Sequence, residues 1–396
     1  FWVFIILIPF LFPDHGVTFL LMWLLVSALV GAMAGPAWNS LMRQIVPENV
    51  RGRFFARRLV WGTGLALVCT LLGGAAIDWW RKLYPDWTQY GYSGLFAVGL
   101  LLGLASLWAV ARLPETPMAV QQRESVRDQL LTPLKDGNFR NLLWFVAIWS
   151  FAVNMAAPFF TVYMLQRIGL SVFMVTLFMV ISQVNNIAFL SIWGRIADRF
   201  SNKPVLGLSG FLFLLAVLAW SFTTMPERYV LTIPLLVAIH ILSGMSVAGV
   251  SIASGNIALK LSPEGNAHGY MTVFGLAASA TGAFAPIVGG ALADFFSQRQ
   301  LSLMLNWSAP GEHLRMCALD LKALDFVFAL AFFIGLYSLH RLGRVTEAGE
   351  TTEQAVREEL FAEMAMPLRA VSSFVGIRRL VYLPLAALRR GASRLL

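Results

Sequence analysis

Residues 194–226 read GRIADRFSNKPVLGLSGFLFLLAVLAWSFTTMP and place a short charged loop directly before 23 uncharged residues, 204–226. An α-helix needs about 20 apolar residues to cross the hydrocarbon core of a bilayer. Charged residues make up 13% of the 396-residue chain, whereas a soluble domain has about 25%. The stretch therefore predicts a membrane-spanning helix, and the composition predicts several more.

Seven further uncharged runs of at least 19 residues follow the same pattern. They are residues 17–42, 59–77, 92–111, 141–166, 168–194, 229–259 and 269–293. Two shorter runs, 1–12 and 326–339, bring the predicted spans to ten, the first of them truncated. We therefore predict an all-α polytopic membrane protein and exclude disordered, collagen-like and disulfide-rich classes.

Most of the positive charges are predicted to lie on one side of the membrane. Of the 30 Lys and Arg residues, 23 lie in alternate loops, namely 43–58, 112–140, 195–203, Lys260 and the chain after residue 340. Cytoplasmic loops carry such an excess, so these loops and the C-terminus are predicted to be cytoplasmic. The net charge of +9 is thereby explained without nucleic acid. The two Cys form no motif, and we expect no metal and no cofactor.

An internal repeat appears at an offset of 216 residues. Pro47-Glu48 recurs as Pro263-Glu264, Gly73-Gly74-Ala75 as Gly289-Gly290-Ala291, and Asp78 as Asp294. Parallel repeats of this kind occur in transporters. They predict an incomplete N-terminal bundle of four spans (1–113), a cytoplasmic linker (114–138), a C-terminal bundle of six spans (139–341) and a basic cytoplasmic tail (342–396).

The charged loop carries a family resemblance. Gly194, Asp198, Arg199 and Lys203 match the cytoplasmic signature G-x-x-x-D-R-x-G-R-[RK] of the major facilitator superfamily, and VPENVRGR at 46–53 is similar to another of its loops. The resemblance covers about residues 1–341. It implies a two-bundle fold with about ten transmembrane helices present of twelve, the first two being absent from this chain.

The same loop predicts a conformational latch formed by Gly194, Asp198, Arg199 and Lys203. Gly194 is suited to close helix approach, and Asp198 to capping the N-terminus of a neighbouring helix. The alternative is that these charges only set topology. Small residues and a proline in the repeat predict helix packing. They are Gly73, Gly74, Pro286, Gly289 and Gly290.

Polar side chains deep in apolar runs are the candidate binding residues. Asn154, Gln183, Asn186 and His240 are predicted to line one substrate cavity, the alternative being hydrogen bonding between helices. No Asp, Glu, Lys or Arg lies centrally in the eight long runs. We therefore expect a neutral or amphipathic small-molecule substrate.

These features predict a secondary transporter of the cell membrane, not an enzyme, working as a monomer by alternating access. Proton-coupled export is favoured, with sodium as the other candidate coupling ion. The alternatives are an uptake symporter for a small polar nutrient and a non-transporting sensor or assembly module. The tail after residue 363 has six Arg and no acid, which predicts binding to anionic membrane lipids, with disorder as the alternative.

Overall fold

The computed structural model describes residues 2–12, 15–24, 26–27, 45, 48–112, 126–224, 228–263, 267–309, 312–349, 352 and 354–362. Within them the chain is mainly helical. The helices are α1 (Trp2–Leu11), α2 (16–24), α3 (Glu48–Leu83), α4 (Thr88–Val110), α5 (Val126–Lys135), α6 (Gly137–Val162), α7 (Val172–Phe200), α8 (Asn202–Trp220), α9 (Thr232–Lys260), α10 (Ala267–Phe296), α11 (Leu324–Leu342) and α12 (354–362). Two antiparallel strands, β1 (Gln300–Ala309) and β2 (Glu312–Lys322), form a hairpin.

Eight helical stretches of the described residues are long and apolar enough to cross a membrane. Seven of the ten predicted runs begin or end within a few residues of one of these stretches, and run 326–339 lies inside α11. Run 1–12 contains the ten-residue helix α1. Run 17–42 lies largely outside the described residues. The prediction of an all-α polytopic membrane fold is confirmed.

Three local features differ from expectation. Helix α3 begins at Glu48, so most of the predicted loop 43–58 is helical. Helix α5 occupies part of the predicted linker and packs on α10. The hairpin occupies the connection between α10 and α11, which was expected to be a loop. The alternation of apolar and polar residues along β1 is the sequence signal for a strand that was overlooked.

The chain divides into two compact units. The first contains residues 1–123 and 164–180; here α1 and α3 pack on α4, and Trp2 contacts Phe96 edge to face at 5.9 Å. The bundle boundaries predicted from the sequence put residues 164–180 in the second half instead. They join the first unit because the start of α7 is held by α3, as described below.

The second unit contains residues 124–163 and 181–396. Helix α8 packs on α9, and α6 packs on α10 and α11. Its centre is filled by large, fully buried side chains, including Phe145, Trp193 and Trp220. Successive helices are antiparallel, so the unit has an α7–α8 end, where α9 and α11 also finish, and a hairpin end, where α10 finishes and α11 begins.

Candidate functional site

Asn154 lies at the contact between α6 and α10. Its amide nitrogen donates to the carbonyl oxygen of Ser150, one turn earlier in α6, at 2.8 Å. Gly282 of α10 faces this amide, since a Cβ built there would lie 3.1 Å from the amide nitrogen. Pro158 follows inside the same helix, and the chain passes into a π-helical turn, Tyr163–Arg167. Asn154 remains half-buried.

Asn186 belongs to a row of side chains that joins α7 to α9. Ser182 Oγ donates to the carbonyl of His240 at 2.9 Å, and Trp193 Nε1 donates to Met245 at 2.8 Å. Between them, Asn186 donates a long bond of 3.4 Å to Gly244. Bonds to helix backbones at regular spacing favour the alternative that Asn186 holds two helices together.

His240 and Gln183 have different surroundings. The His240 ring is buried, with Nδ1 2.7 Å from the carbonyl oxygen of Leu236 and the ring edge on Trp220 of α8. Gln183 is exposed on α7. The hydrogen bonds given above run from Asn154, Asn186 and His240 to helix backbones rather than to one another. The grouping of the four residues in one cavity therefore stays a prediction.

The signature loop is a single-residue connection. Helix α7 ends at Phe200 and α8 begins at Asn202, with Ser201 at a φ of 82° between them. Two details expected of this loop are not seen in the structure, and the latch itself stays a prediction. Gly194 has open space where a Cβ would stand, so it does not mark a close helix approach. Asp198 is exposed in α7, and a different carboxylate caps α8.

That carboxylate is Glu347, which follows α11 and has a fully buried side chain. Its oxygens accept the backbone N–H of Asn202, at 3.0 Å to the nearer oxygen, and that of Lys203 at 2.7 Å. They also accept the Asn202 amide at 2.9 Å and the Lys260 ammonium, from the end of α9, at 2.9 Å. The N-terminus of a helix favours such an anion. Glu347 thus joins α8, α9 and the segment after α11.

The pKa of Glu347 follows from this environment. Burial alone would raise the pKa of the carboxyl group. The hydrogen bonds from Asn202, Lys260 and the backbone of Lys203 stabilise the carboxylate more strongly, so the pKa of Glu347 is lowered from its ordinary value. The group therefore stays ionised at neutral pH and holds its partners as a charge.

Helix α12 continues this attachment. Val356 and Leu360 are buried, and Glu359 pairs with Arg199 of the signature loop at 2.7 Å. Lys203 reaches the carbonyl of Gly343 at 3.5 Å. Two of the four predicted latch residues are therefore in contact with the chain that follows α11. The tail beyond residue 362 lies outside the described residues.

A second carboxylate caps a helix in the first unit. Asp78, near the end of α3, accepts the backbone N–H of Val172 at 3.0 Å and that of Phe173 at 2.7 Å, the first residues of α7. One turn earlier, Gly74 permits the contact, since a Cβ there would collide with Thr176. Asp78 and Gly74 both belong to the repeat, so one of its copies fastens α3 to α7.

We expect Asp78→Ala to weaken this attachment by about 1–2 kcal/mol, the usual effect of losing a capping carboxylate. The amide protons of Val172 and Phe173 should then exchange with solvent about tenfold faster, which hydrogen–deuterium exchange measures. Asp86→Ala is the matched control, because Asp86 is exposed in the turn that follows α3. Equal exchange in the two variants would contradict the capping role.

The second copy of the repeat makes different contacts. Gly289 is buried against α6, where a Cβ would lie 2.8 Å from the Phe159 ring and collide with the backbone of Met155. Gly290 and Gly73 have only ordinary contacts, at 3.9 Å and 3.7 Å. Of the predicted packing glycines, Gly74 and Gly289 thus lie at tight helix contacts. Pro286 lies inside α10.

Asp325, in the first turn of α11, is a buried carboxylate that the sequence analysis did not select as a candidate site residue. It is 0% exposed, and its oxygens accept Tyr163 Oη at 3.1 Å and the backbone N–H of Lys322 at 2.9 Å. Tyr163 Oη also lies 2.8 Å from Thr224 Oγ1. The group forms a polar cluster at the hairpin end of the second unit.

The first unit contains an apolar cavity of about 690 Å³ between α1, α3, α4 and the start of α7. Its few polar groups include the hydroxyls of Thr70, Tyr92 and Thr176 and the thiol of Cys69. A pocket of this size and character suits an apolar molecule with one or two hydrogen-bonding groups. Within the described part of the chain, no group of three His, Cys, Asp or Glu side chains is placed to hold a metal ion.

Comparison with known proteins bears on the second bundle. No curated protein matches the chain. Residues 142–337, from the second turn of α6 to the last third of α11, match the family model of the Major Facilitator Superfamily. This match agrees with the signature in the α7–α8 loop and with the membrane-spanning helices around it. The chain is therefore a multi-pass membrane protein that belongs to the major facilitator superfamily of secondary transporters.

Proposed function

We propose that this secondary transporter exports a small neutral or amphipathic compound by alternating access, coupled to protons. Members of the family bind small molecules, are typically monomeric and are generally not enzymes. The observation that carries the choice of substrate is the apolar cavity of the first unit with its few hydroxyl groups. Such a lining leaves a strongly charged solute without a counter-charge.

The second unit has polar side chains of its own in membrane-spanning helices. Gln183 is exposed on α7, and Asn154 and Asn186 are half-buried at similar depth in their helices. Backbone carbonyls already accept one bond from each asparagine, and a hydrated path or a solute would supply further polar partners for these amides and for exposed Gln183. We assign Gln183 and Asn154 to this path, with Asn186 and His240 behind them.

Proton coupling is supported by Asp325, a carboxylate fully buried in a membrane-spanning helix and bonded to Tyr163. Ionisable groups at such positions commonly mark ion pathways. The distribution of Lys and Arg supports a cytoplasmic α7–α8 end and C-terminus in the cell membrane, with the basic tail on anionic lipids. Gly194, Asp198, Arg199 and Lys203 would then act as a latch at the cytoplasmic face.

Transport by purified protein in liposomes is the test. A panel of neutral and amphipathic compounds is offered with and without an imposed pH gradient, and Gln183→Ala is compared with Gln166→Ala. Both glutamines are exposed, but Gln166 lies in the turn after α6. We expect Gln183→Ala to slow transport of the active compound about three- to tenfold, as loss of one hydrogen bond predicts, and Gln166→Ala to leave it unchanged.

The remaining outcomes separate the alternatives. If the compound moves inward together with protons, the protein is an uptake symporter and the export proposal is wrong. If transport is unaffected by a protonophore but requires sodium, the coupling ion is sodium rather than the proton. If no compound crosses and none protects Cys69 in the apolar cavity from a thiol reagent, the non-transporting sensor or assembly module would be favoured.

A further inference from the structure

The hairpin of β1 and β2 has two chemically different rows. The odd-numbered residues of β1 from 301 to 307 are Leu, Leu, Leu and Trp, and their register partners in β2 are all Leu or Met. We name these eight positions the apolar row. Among the even-numbered residues, 300, 302, 306 and 308 are Gln, Ser, Asn and Ser, opposite Lys, Asp, Arg and His, and this polar row is interrupted by Met304 opposite Cys317, where the register shifts. Because side chains alternate along a strand, Leu301 and Leu303 lie on the face opposite Gln300 and Ser302.

The apolar row needs a cover. Leu301 and Leu303 are 54% and 55% exposed. A two-stranded hairpin is marginally stable in water, and one with an apolar face normally packs against something else. At the end of the hairpin nearest the helices, the strands are joined on the polar side. The Asp320 carboxylate accepts a hydrogen bond from the Gln300 amide at 2.7 Å and pairs with the Lys322 ammonium at 3.2 Å.

The position of the hairpin in the chain indicates what packs against its apolar row. Helix α10 ends at Phe296 and α11 begins at Leu324, so both strands leave membrane-spanning helices within a few residues. Those helices expose large apolar side chains such as Ile287, Phe295 and Phe333, as helices in contact with lipid do. Exposed apolar side chains on both helices and on the neighbouring strand favour lipid as the cover.

We propose that the hairpin lies along the bilayer surface next to α10 and α11, with the apolar row in the lipid and the polar row, apart from the buried Asp320, in water. A strand of ten residues is about 33 Å long, so the hairpin extends the contact of the second bundle with one leaflet well beyond the helix ends. Aromatic and aliphatic residues opposite a polar face are the composition of interfacial segments.

Two adjacent residues provide the test. Leu303→Cys and Ser302→Cys are made separately in a Cys69→Ser, Cys317→Ser background, labelled with an environment-sensitive fluorophore and reconstituted into phosphatidylcholine vesicles. Both residues are exposed in β1 but belong to opposite rows. We expect brominated phosphatidylcholine to quench the label at 303 at least about twofold more than the label at 302, and aqueous iodide to show the reverse.

Each other result overturns the proposal. Equal iodide quenching at both sites would place the whole hairpin in water, and equal lipid quenching would immerse both rows. A label at 303 that neither quencher reaches would mean that protein covers the apolar row. Reconstitution with more lipid per protein then identifies that protein, because exposure that rises as the protein-to-lipid ratio falls indicates a second copy of this chain.

Discussion

Glu347→Ala is expected to destabilise the second bundle by about 1.5–3 kcal/mol, the range for losing hydrogen bonds to a charged group, because the Lys260 side chain that it leaves behind is half-exposed. The substitution leaves the backbone N–H groups of Asn202 and Lys203, the Asn202 amide and the Lys260 ammonium without their acceptor. The apparent melting temperature in detergent should fall by several degrees. Hydrogen exchange should rise in residues 343–362, which Glu347 and α12 hold in place.

Glu358→Ala is the matched control, since Glu358 is an exposed glutamate of α12 that accepts a hydrogen bond from the Gln354 amide. It should change stability by no more than about 0.5 kcal/mol. A fall in melting temperature of equal size in both variants would show that Glu347 contributes no more than a surface residue.

The pH dependence gives a second, independent readout. Because the pKa of Glu347 is lowered in the folded protein, its contribution to stability is complete above the ordinary glutamate pKa of about 4.3 and declines as pH falls through the folded value. The stability difference between the wild-type protein and Glu347→Gln should therefore stay constant from neutral pH to about pH 5 and shrink below it. A difference that grows on acidification would contradict the assignment.

The membrane-spanning helices could be predicted because one physical requirement dominates them. A segment that crosses lipid must be apolar for about 20 residues whatever it packs against, so the runs at 204–226 and 269–293 reveal α8 and α10 directly. The exact ends could not be predicted in the same way. Helix α3 continues back through a basic segment to Glu48 because helix formation does not require apolar residues at the membrane edge.

The capping carboxylates depend on contacts between distant parts of the chain. Asp198 stands four residues before Asn202, the first residue of α8, and was a candidate for capping a neighbouring helix. The cap on α8 is instead Glu347, which is 145 residues from Asn202 in sequence. Nothing in the local sequence distinguishes these two acids, since the choice depends on where α11 ends relative to α8 and α9. The repeat did identify Asp78, but not its partner at the start of α7.

The candidate site shows the same limit. Depth in a span could be read from sequence for Asn154, Gln183, Asn186 and His240, but the direction of each side chain depends on helix rotation. The spacing of Ser182, Asn186 and Trp193 marks one face of α7, and the structure turns that face toward α9. A small residue opposite, Gly244, was the available signal that this face packs closely.

Gly289→Leu and Gly290→Leu are expected to differ sharply although the two residues are neighbours in α10. A side chain at 289 enters the contact with α6, where the backbone of Met155 and the Phe159 ring leave no room for a Cβ. Helix α10 must then move away from α6, and overpacking of this kind costs about 1–3 kcal/mol. At 290 the nearest atom would be 3.9 Å away, and leucine gains helix propensity over glycine of up to about 1 kcal/mol.

The measurement is the melting temperature of each variant in the same detergent, with Gly289→Ala as an intermediate. We expect the order Gly290→Leu, wild type, Gly289→Ala, Gly289→Leu from most to least stable, because Gly289→Ala adds only the colliding Cβ. The α6–α10 contact also carries Asn154 opposite Gly282, so Gly289→Leu should disturb any solute path at Asn154. Equal stability of the two leucine variants would mean that α6 and α10 do not approach each other at this glycine.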